Sequence, residues 1–277
     1  MNDTQCVAFL QWALPQLGMR WAGYRKVRRQ VCNRARRRAS ELGLSDLSGY
    51  RMYLEAHSEE WAVLDSLTPI TISRFYRDHG TFDFLAQEVL PALAAQARED
   101  GRDTLEVWSA GCASGEEPYT LAIIWELELA GWFPTIALRI LATDVHPAML
   151  DRARRACFSD GSMRELPERW RTEAFEVRGQ LYCLRARYKQ GVTIAHHDIR
   201  TDPPDGPFDL VLCRNLAFTY FESGLQETIG GRLASWLRPA GALVLGAHEQ
   251  LPADLPEFGP WDGHHDVYRR LPIPAES

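Results

Sequence analysis

Residues 1 to about 66 carry apolar positions at helical spacing and show none of the alternation typical of strands. One apolar stripe consists of Val27, Val31, Ala35, Ala39 and Leu42. Cations cover the rest of the same helix: Arg25, Lys26, Arg28, Arg29, Arg34, Arg36, Arg37 and Arg38. The pattern predicts a set of helices, one of which buries an apolar side and presents guanidinium groups on the other.

Short apolar runs dominate the chain after residue 104. They are LEVW (105–108), LRILATDV (138–145), VTIAHH (192–197), FDLVLC (208–213) and GALVLGAHE (241–249). Helical patterns at about 81–98, 147–156 and 224–237 stand before or between them. Strands separated by helices predict a parallel sheet with helices on both faces, and EVRGQLYCLRAR at 176–187 predicts a short hairpin.

The sequence LEVWSAGCASGEEPY at 105–119 predicts a strand, a glycine turn and the start of a helix. Glu116 and Glu117 stand at that helix start, where a phosphate would otherwise meet free N–H groups and the helix dipole. Carboxylates repel a phosphate but attract the sulfonium and ammonium groups of S-adenosylmethionine. The turn therefore favours a methyl donor over NAD or ATP, unless both glutamates only complement the helix dipole.

Two other residues are candidates for ligand binding. Asp144 lies at the carboxyl end of the strand predicted within 138–145, where doubly wound folds hold ribose hydroxyls with an acidic residue. Its alternative role is to cap the helix that begins near Pro147. Arg77 lies in LTPITISRFYRD, at a domain junction, and its guanidinium suits a substrate carboxylate, although a structural salt bridge is the alternative.

Composition bounds the class of protein. The chain has 277 residues, 45% of them hydrophobic, and a net charge of -6, which is ordinary for a globular protein with one large and one small domain. No apolar stretch approaches the roughly 20 residues that span a bilayer, and Asp3 stands where a signal peptide needs positive charge. We expect a cytoplasmic protein with no membrane insertion.

The cysteines and histidines suggest neither crosslinks nor metal. Six cysteines are scattered without a C-x-x-C pair, so we expect free thiols, no disulfide and no zinc. Histidines are adjacent at His196-His197 and at His264-His265. Because adjacent strand residues point to opposite faces, neither pair is suited to hold one ion, and we expect no metal site.

The arginine-rich helix concentrates positive charge in a chain that is acidic overall. Such a field would steer an acidic partner, and an acidic protein surface is the partner we predict. The sequence has no interleaved aromatic platform and no known reader motif, so nucleic acid is the weaker alternative. The remaining alternative is a solvated helix face without a partner.

Five segments together resemble the CheR-type methyltransferases, the chemotaxis-receptor protein-glutamate O-methyltransferases. The segments are ISRFYRD, VWSAGCASGEEPYTLA, LATDVHPAMLDRAR, FDLVLCRN with YF, and GALVLGAHE. NRARRRASELGLSDLSGYRMYLE extends the resemblance over nearly the whole chain. The resemblance implies an all-helical domain at 1–70 and a Rossmann-like S-adenosylmethionine-binding α/β domain at 71–277, with a small β-subdomain near 158–190.

The resemblance also implies the site residues. By position, the cofactor contacts are Thr71, Ser73, Arg77, Glu117, Asp144, Asp198, Ile199, Arg214 and Asn215. Arg77 and Tyr220 are the implied active-site residues, from separate segments that converge on one cleft. The family usually has Asn in place of Thr71 and Asp198, and Thr in place of Ser73.

Two further departures from the family concern the acceptor side. The family pattern R-N-x-x-x-Y-F is one residue longer here, so either Tyr220 or Thr219 takes the tyrosine position. Members that dock on a receptor tail peptide have a glycine-rich loop in the β-subdomain, whereas the hairpin here is short and contains only Gly179.

The resemblance predicts carboxyl O-methylation of glutamate side chains on a chemoreceptor-like protein. A glutamate carboxylate is ionised at pH 7, so the enzyme supplies proximity and a dry cleft rather than a general base. One alternative keeps the donor but takes a small-molecule or other carboxylate as acceptor. The other is a non-catalytic signalling module that binds S-adenosylmethionine.

Overall fold

The computed structural model describes residues 3–201 and 204–272, which form two compact units. One unit contains the chain up to Ile70 together with Leu216–Gln226, and the other contains Thr71–Asn215 and the chain from Glu227 onward. No helix in the described ranges is long and apolar enough to cross a bilayer.

The α-helices begin and end as follows: α1 Asp3–Gln16, α2 Trp21–Tyr24, α3 Arg28–Glu41, α4 Leu47–Ala56, α5 Glu60–Leu67, α6 His79–Phe84, α7 Leu90–Glu99, α8 Glu116–Ile124, α9 Pro147–Arg155, α10 Glu168–Ala174, α11 Ala217–Tyr220 and α12 Ser223–Trp236. The strands are β1 Thr104–Ala110, β2 Ala137–Asp144, β3 Cys157–Ser159, β4 Phe175–Arg178, β5 Leu181–Leu184, β6 Val192–His196, β7 Phe208–Leu212, β8 Leu237–Val244, β9 Phe258–Trp261 and β10 His264–Arg270. A π-helical turn, Leu85–Val89, joins α6 to α7.

The first unit is helical, as the apolar pattern predicts. Helix α3 buries Val31, Cys32, Ala35 and Ala39. Each is three or four residues from another member of the set, so the four share one face. The neighbouring helices add a buried carboxylate, Glu60, to this interior. The middle of the predicted apolar stripe therefore forms the packed side of α3, whereas its two ends, Val27 and Leu42, flank the helix and are only half-buried.

The second unit is built on a seven-stranded sheet of order β6-β2-β1-β7-β8-β10-β9. The pairs β2–β6, β1–β2, β1–β7 and β7–β8 are parallel. Strand β7 is buried along its whole length and β1 along most of it, as expected where helices cover both faces of a parallel sheet, whereas the edge strand β6 is only partly buried. The predicted Rossmann-like α/β fold is confirmed.

The far edge of this sheet was not predicted. Strand β10 runs antiparallel to both β8 and β9, and Gly263 turns the chain between β9 and β10 with φ 98°. The sequence of β10 is HHDVYRR, in which polar residues outnumber apolar ones, so it lacks the run that marked the other strands.

A second, three-stranded sheet of order β3-β5-β4 lies within residues 157–184. Strands β4 and β5 form the predicted hairpin, with Gly179 at φ 63° in its turn. Cys157 lies directly opposite Cys183 in the antiparallel register of β3 and β5.

The expectation of no disulfide is wrong. Cys157 is bonded to Cys183, and Cys6 in α1 is bonded to Cys32 in α3. In both pairs the partners are 26 residues apart in sequence and are brought together only by strand register or helix packing. Cys112 and Cys213 remain buried thiols. Of the six cysteines, only these two are the free thiols that the sequence predicted.

Candidate active site

The two glutamates at the start of α8 have different environments. The Glu116 side chain is fully buried and accepts hydrogen bonds from the hydroxyls of Ser114, at 2.8 Å, and Ser162, at 3.0 Å. Glu117 is partly exposed and accepts a hydrogen bond from the Ser109 hydroxyl at 2.7 Å. Glu116 therefore holds the glycine turn together, whereas Glu117 is the one available to a ligand.

Arg214, at the end of β7, is the centre of a buried charge cluster. Its side chain is 4% exposed, and Nη1 donates to Glu117 Oε2 at 3.1 Å. Nη2 donates to Asp78 Oδ2 at 2.7 Å and to the Arg77 carbonyl oxygen at 3.2 Å. Its Nε–H is buried and meets no hydrogen-bond partner among the described residues. Buried donors are nearly always paired, so this N–H is available to a bound anion.

Asp144 ends β2 next to the glycine turn. Its Oδ2 accepts the backbone N–H of Ala113 at 2.9 Å, and its Oδ1 accepts that of His146 at 2.8 Å. Burial raises the pKa of Asp144, and these hydrogen bonds act against that rise. Both roles foreseen for this residue are thus compatible, because each oxygen keeps a second lone pair.

Asp198 and Ile199 follow β6 in the chain. Arg200 donates to both carboxylate oxygens of Asp198, at 2.7 to 3.0 Å, through Nη2 and Nε. Burial opposes ionisation, but the bonds from Arg200 outweigh it and the pKa of Asp198 lies below its ordinary value. Ile199 is buried. The Asp198 carboxylate is therefore already occupied by a residue of its own loop.

The segment before α6 carries the other predicted contacts of this unit. Arg77 is 37% exposed, and its Nη1 donates to the Ile72 carbonyl oxygen at 3.1 Å. Its Nε lies 3.9 Å from Asp78 Oδ2, too far for a strong ion pair. Thr71 and Ser73 are half-buried in the same loop. Asp78 itself, with φ 61°, was not foreseen as a partner of Arg214.

Asn215 follows Arg214 and has a left-handed backbone, with φ 53°. Its backbone N–H donates to Glu249 Oε2 at 2.6 Å. Glu249 was not predicted from the sequence, although it follows an apolar strand run just as Asp144 does. The Glu249 carboxylate is buried, and the residue as a whole is 4% exposed.

Tyr220 belongs to the first unit, in the short helix α11. Its ring lies 4.9 Å from that of Tyr24, and the Arg20 guanidinium donates to the carbonyl oxygens of Phe218 and Thr219. A Cβ on Gly23 would lie 2.2 Å from the Thr219 carbonyl oxygen, so α2 and α11 approach closely. That Arg77 and Tyr220 line one cleft stays a prediction, as does the choice between Tyr220 and Thr219.

The arginine-rich helix gives up part of its charge to internal contacts. Arg28 pairs with Asp3 at 2.8 Å, and Arg38 makes two bonds of 2.9 Å to the buried Glu60. Arg34 donates to the carbonyl oxygens of Leu67 and Pro69. The cations left for a partner are fewer than the sequence suggested, and Arg37 is the most exposed of those with a recorded ion pair, at 73%.

Within the described ranges, one group of side chains brings three potential metal ligands together: His264, His265 and Asp266. The two imidazole rings are nearly parallel, 3° apart, with centroids at 5.2 Å. The register of β10 is irregular between His264 and Tyr268, so the strict alternation assumed for adjacent histidines does not hold here. The absence of a metal site stays a prediction.

Comparison with known proteins identifies the family of this chain. A family model described as CheR methyltransferase, SAM binding domain, matches residues 71–264. The chain is 38% identical over 191 residues to the chemotaxis protein methyltransferase of Listeria innocua, an alignment covering 68% of this chain and 70% of that protein. It is 31% identical over 234 residues to the chemotaxis protein methyltransferase of Escherichia coli, covering 80% and 76%.

Other similarities are partial. An uncharacterized 104.1 kDa protein of Rhodobacter capsulatus is 35% identical over 243 residues, which is 87% of this chain but 25% of that protein. This chain thus spans about a quarter of that relative. Among solved structures, the N-methyltransferase NodS of Bradyrhizobium japonicum is 18% identical and covers 56% of this chain and 58% of its own, with a TM-score of 0.31. That superposition is too slight to bear on function.

The family model spans well over half of the chain, and it matches the unit that contains the glycine turn, Asp144 and Arg214. The predicted family and its cofactor, S-adenosylmethionine, are confirmed. The chain belongs to the CheR methyltransferase family, with the S-adenosylmethionine-binding domain of that family at residues 71–264.

Proposed function

We propose that this chain transfers the methyl group of S-adenosylmethionine to glutamate side-chain carboxylates of a chemoreceptor-like protein. The observation that carries the proposal is the charge cluster at the carboxyl edge of the sheet. There Glu117 and Arg214 are bonded to each other, with Asp144 at the end of β2 beside the glycine turn. In parallel α/β sheets this edge is where ligands bind.

The cluster fits the donor group by group. The donor has a carboxylate, an ammonium, a sulfonium and a ribose. The unpartnered Nε–H of Arg214 suits the carboxylate, and the exposed part of Glu117 suits the ammonium. Asp144 has lone pairs left for the ribose hydroxyls. No phosphate is present on the donor, which agrees with the acidic start of α8.

The bound donor supplies an electrophilic methyl group, and the chain needs no general base. A glutamate side chain has a pKa of about 4.3, so its carboxylate is ionised at pH 7 and is itself the nucleophile. One carboxylate oxygen forms a bond to the methyl carbon as the carbon–sulfur bond breaks, and the electron pair stays on sulfur as a neutral thioether. The products are a methyl ester and S-adenosylhomocysteine, with no proton transferred.

Two groups are assigned to the acceptor. Arg77 is half-exposed, and its recorded side-chain contacts are one carbonyl oxygen and a distant Asp78 carboxylate. A planar guanidinium of this kind binds a carboxylate through two parallel hydrogen bonds. Tyr220, or Thr219 in the shifted register, orients the same carboxylate from the first unit. The assignment follows the family pattern, and both residues are tested by substitution.

The partner is assigned from charge and from the names of the relatives. The relatives in Listeria innocua and Escherichia coli are chemotaxis protein methyltransferases. The solvated arginines of α3, such as Arg37, give the first unit a positive surface even after Arg28, Arg34 and Arg38 are used internally. An acidic receptor helix that carries the accepting glutamates is complementary to that surface.

Transfer of label from the methyl group of the donor tests the function. The protein is incubated with methyl-labelled S-adenosylmethionine and a host-cell lysate, and base-labile label is measured in protein and small-molecule fractions. We expect label on membrane-associated acidic proteins, lost when excess S-adenosylhomocysteine is added. Label confined to small molecules would replace the proposed acceptor, and donor binding without any transfer would indicate a signalling module.

A further inference from the structure

Glu249 lies in the turn that follows β8 and links two strand ends. One oxygen, Oε2, accepts the backbone N–H of Asn215 at 2.6 Å and that of Gly246 at 2.8 Å. Asn215 comes after β7, and β7 and β8 are parallel neighbours. Because both N–H groups donate to this one oxygen, Glu249 holds the two strand ends together.

The side chain of Asn215 is confined from another direction. A Cβ added to Gly246 would lie 2.9 Å from Cγ, Oδ1 and Nδ2 of Asn215, so the absence of a side chain at Gly246 leaves room for that amide. The backbone of Asn215 is left-handed, a conformation that costs free energy and persists only when its surroundings enforce it. The Glu249 carboxylate, bonded to that very N–H, supplies the constraint.

We propose that Glu249 is a positioning residue for the methyl donor. It fixes the Asn215 backbone in the left-handed conformation and thereby directs the Asn215 amide at the donor. The inference rests on the proposed function, in which Asn215 contacts the donor. In this proposal Glu249 does not contact the donor itself and acts on it only by positioning Asn215. Removing the Glu249 carboxylate should therefore lower donor affinity by more than the accompanying loss of stability explains.

A control residue lies at the opposite end of the parallel strands. Asp209, at the start of β7, is also buried, and its Oδ2 accepts the backbone N–H of Glu106 in β1 at 2.9 Å. Like Glu249, Asp209 is a buried carboxylate that accepts a hydrogen bond from the backbone of a neighbouring segment, but it lies at the end of the strands away from the proposed donor site. Asp209→Ala should therefore destabilise the fold without changing the donor site.

The test compares donor affinity with stability across four variants of the full chain. Calorimetric titration with S-adenosylhomocysteine should show the dissociation constant rising about tenfold or more for Glu249→Ala, and staying within about twofold for Asp209→Ala at matched loss of Tm. Glu249→Gln should recover most of the affinity, because a single amide oxygen can still accept both N–H groups. Gly246→Ala should also weaken binding, since its methyl group displaces the Asn215 amide.

Amide hydrogen exchange without ligand supplies a second readout. Exchange at Asn215 and Gly246 should be slow in the unmodified chain and at least about tenfold faster in Glu249→Ala. The inference is overturned if Glu249→Ala and Asp209→Ala affect donor affinity equally, if Glu249→Gln fails as completely as Glu249→Ala, or if exchange at both amides is unchanged. Failure of the unmodified chain to bind donor would instead count against the proposed function, and the exchange rates would still decide whether Glu249 restrains Asn215.

Discussion

The arginines of α3 and the arginine at the end of β7 show two uses of one side chain. Arg37 is 73% exposed and reaches Glu41 only at 3.8 Å, whereas Arg214 is 4% exposed and is bonded to Glu117, Asp78 and a carbonyl oxygen. Arg37 contributes to a surface electrostatic field that salt screens beyond about 10 Å. Arg214 holds its partners by buried hydrogen bonds and ion pairs, which salt screens much less. Substitutions at the two places should therefore differ in size, in salt dependence and in the ligand affected.

The largest effect is expected for Arg214→Lys. An ammonium cannot bridge Glu117, Asp78 and the Arg77 carbonyl oxygen at once, and breaking a buried ion pair costs about 3 to 5 kcal/mol. Denaturant unfolding should show that loss, and donor binding should fall below detection. Arg102→Lys is the control, because Arg102 pairs with the buried Asp209 at the opposite end of β1 and β7. Equal donor affinity in both variants would refute the role of Arg214.

Asp144→Ala should have the next largest effect. Donor affinity should fall by about 1 to 3 kcal/mol, the order expected for losing hydrogen bonds to a charged group. Stability should fall as well, since the N–H groups of Ala113 and His146 lose their acceptor. Calorimetric titration well below Tm separates the two effects. Unchanged affinity in a less stable protein would leave Asp144 with only its capping role.

Tyr220→Phe and Thr219→Ala test the acceptor side. If Tyr220 orients the acceptor, removing its hydroxyl in Tyr220→Phe should lower turnover about tenfold and leave donor affinity almost intact. The hydroxyl would act on the alignment of the acceptor for methyl transfer and not on donor binding. Thr219→Ala should then be nearly silent. The reverse result would mean that the extra residue has shifted the active position. Arg77→Lys belongs to the same assay and should be harmful, since an ammonium lacks the two-pronged contact.

The smallest effect is expected for charge reversal on α3. Replacing Arg36 and Arg37 by Glu should raise the apparent Michaelis constant for a protein acceptor several-fold at low salt, and the effect should shrink as salt is added. The same reversal at Arg152 and Arg155, exposed on α9, makes an equal change in net charge in the other unit. Identical behaviour of the two double variants would show that net charge, rather than this surface, steers the partner.

The sequence was sufficient for whatever depends on local pattern. The strands at residues 105–108, 138–145 and 208–213 were predicted because buried parallel strands are continuous apolar runs. The sequence around Glu117 and Asp144 was enough to predict the cofactor. Acidic residues at the start of a helix and at the end of a strand can be recognised from neighbouring residues alone. Strand β10 was not predicted because its sequence, HHDVYRR, contains no continuous apolar run.

What the sequence could not supply depends on long-range contacts. Arg214 and Asp78 are 136 residues apart, and Asn215 and Glu249 are 34 apart, so no spacing rule connects them. The two disulfides were missed for the same reason, since their partners meet only through folding. Glu116 and Glu117 look alike in the sequence, and only the folded structure shows that Glu116 is fully buried whereas Glu117 is partly exposed and bonded to Arg214.

The assignment of Leu216–Gln226 to the first unit bears on modularity. The chain passes between the two units three times, at 70/71, 215/216 and 226/227, so neither unit is one continuous stretch. An excised fragment of residues 71–277 would retain α11 but lose Arg20, Gly23 and Tyr24, against which α11 is bonded or packed. The two units therefore cannot be exchanged between proteins by a single cut, and recombination that replaced the helical unit would also have to replace an eleven-residue insert within the other.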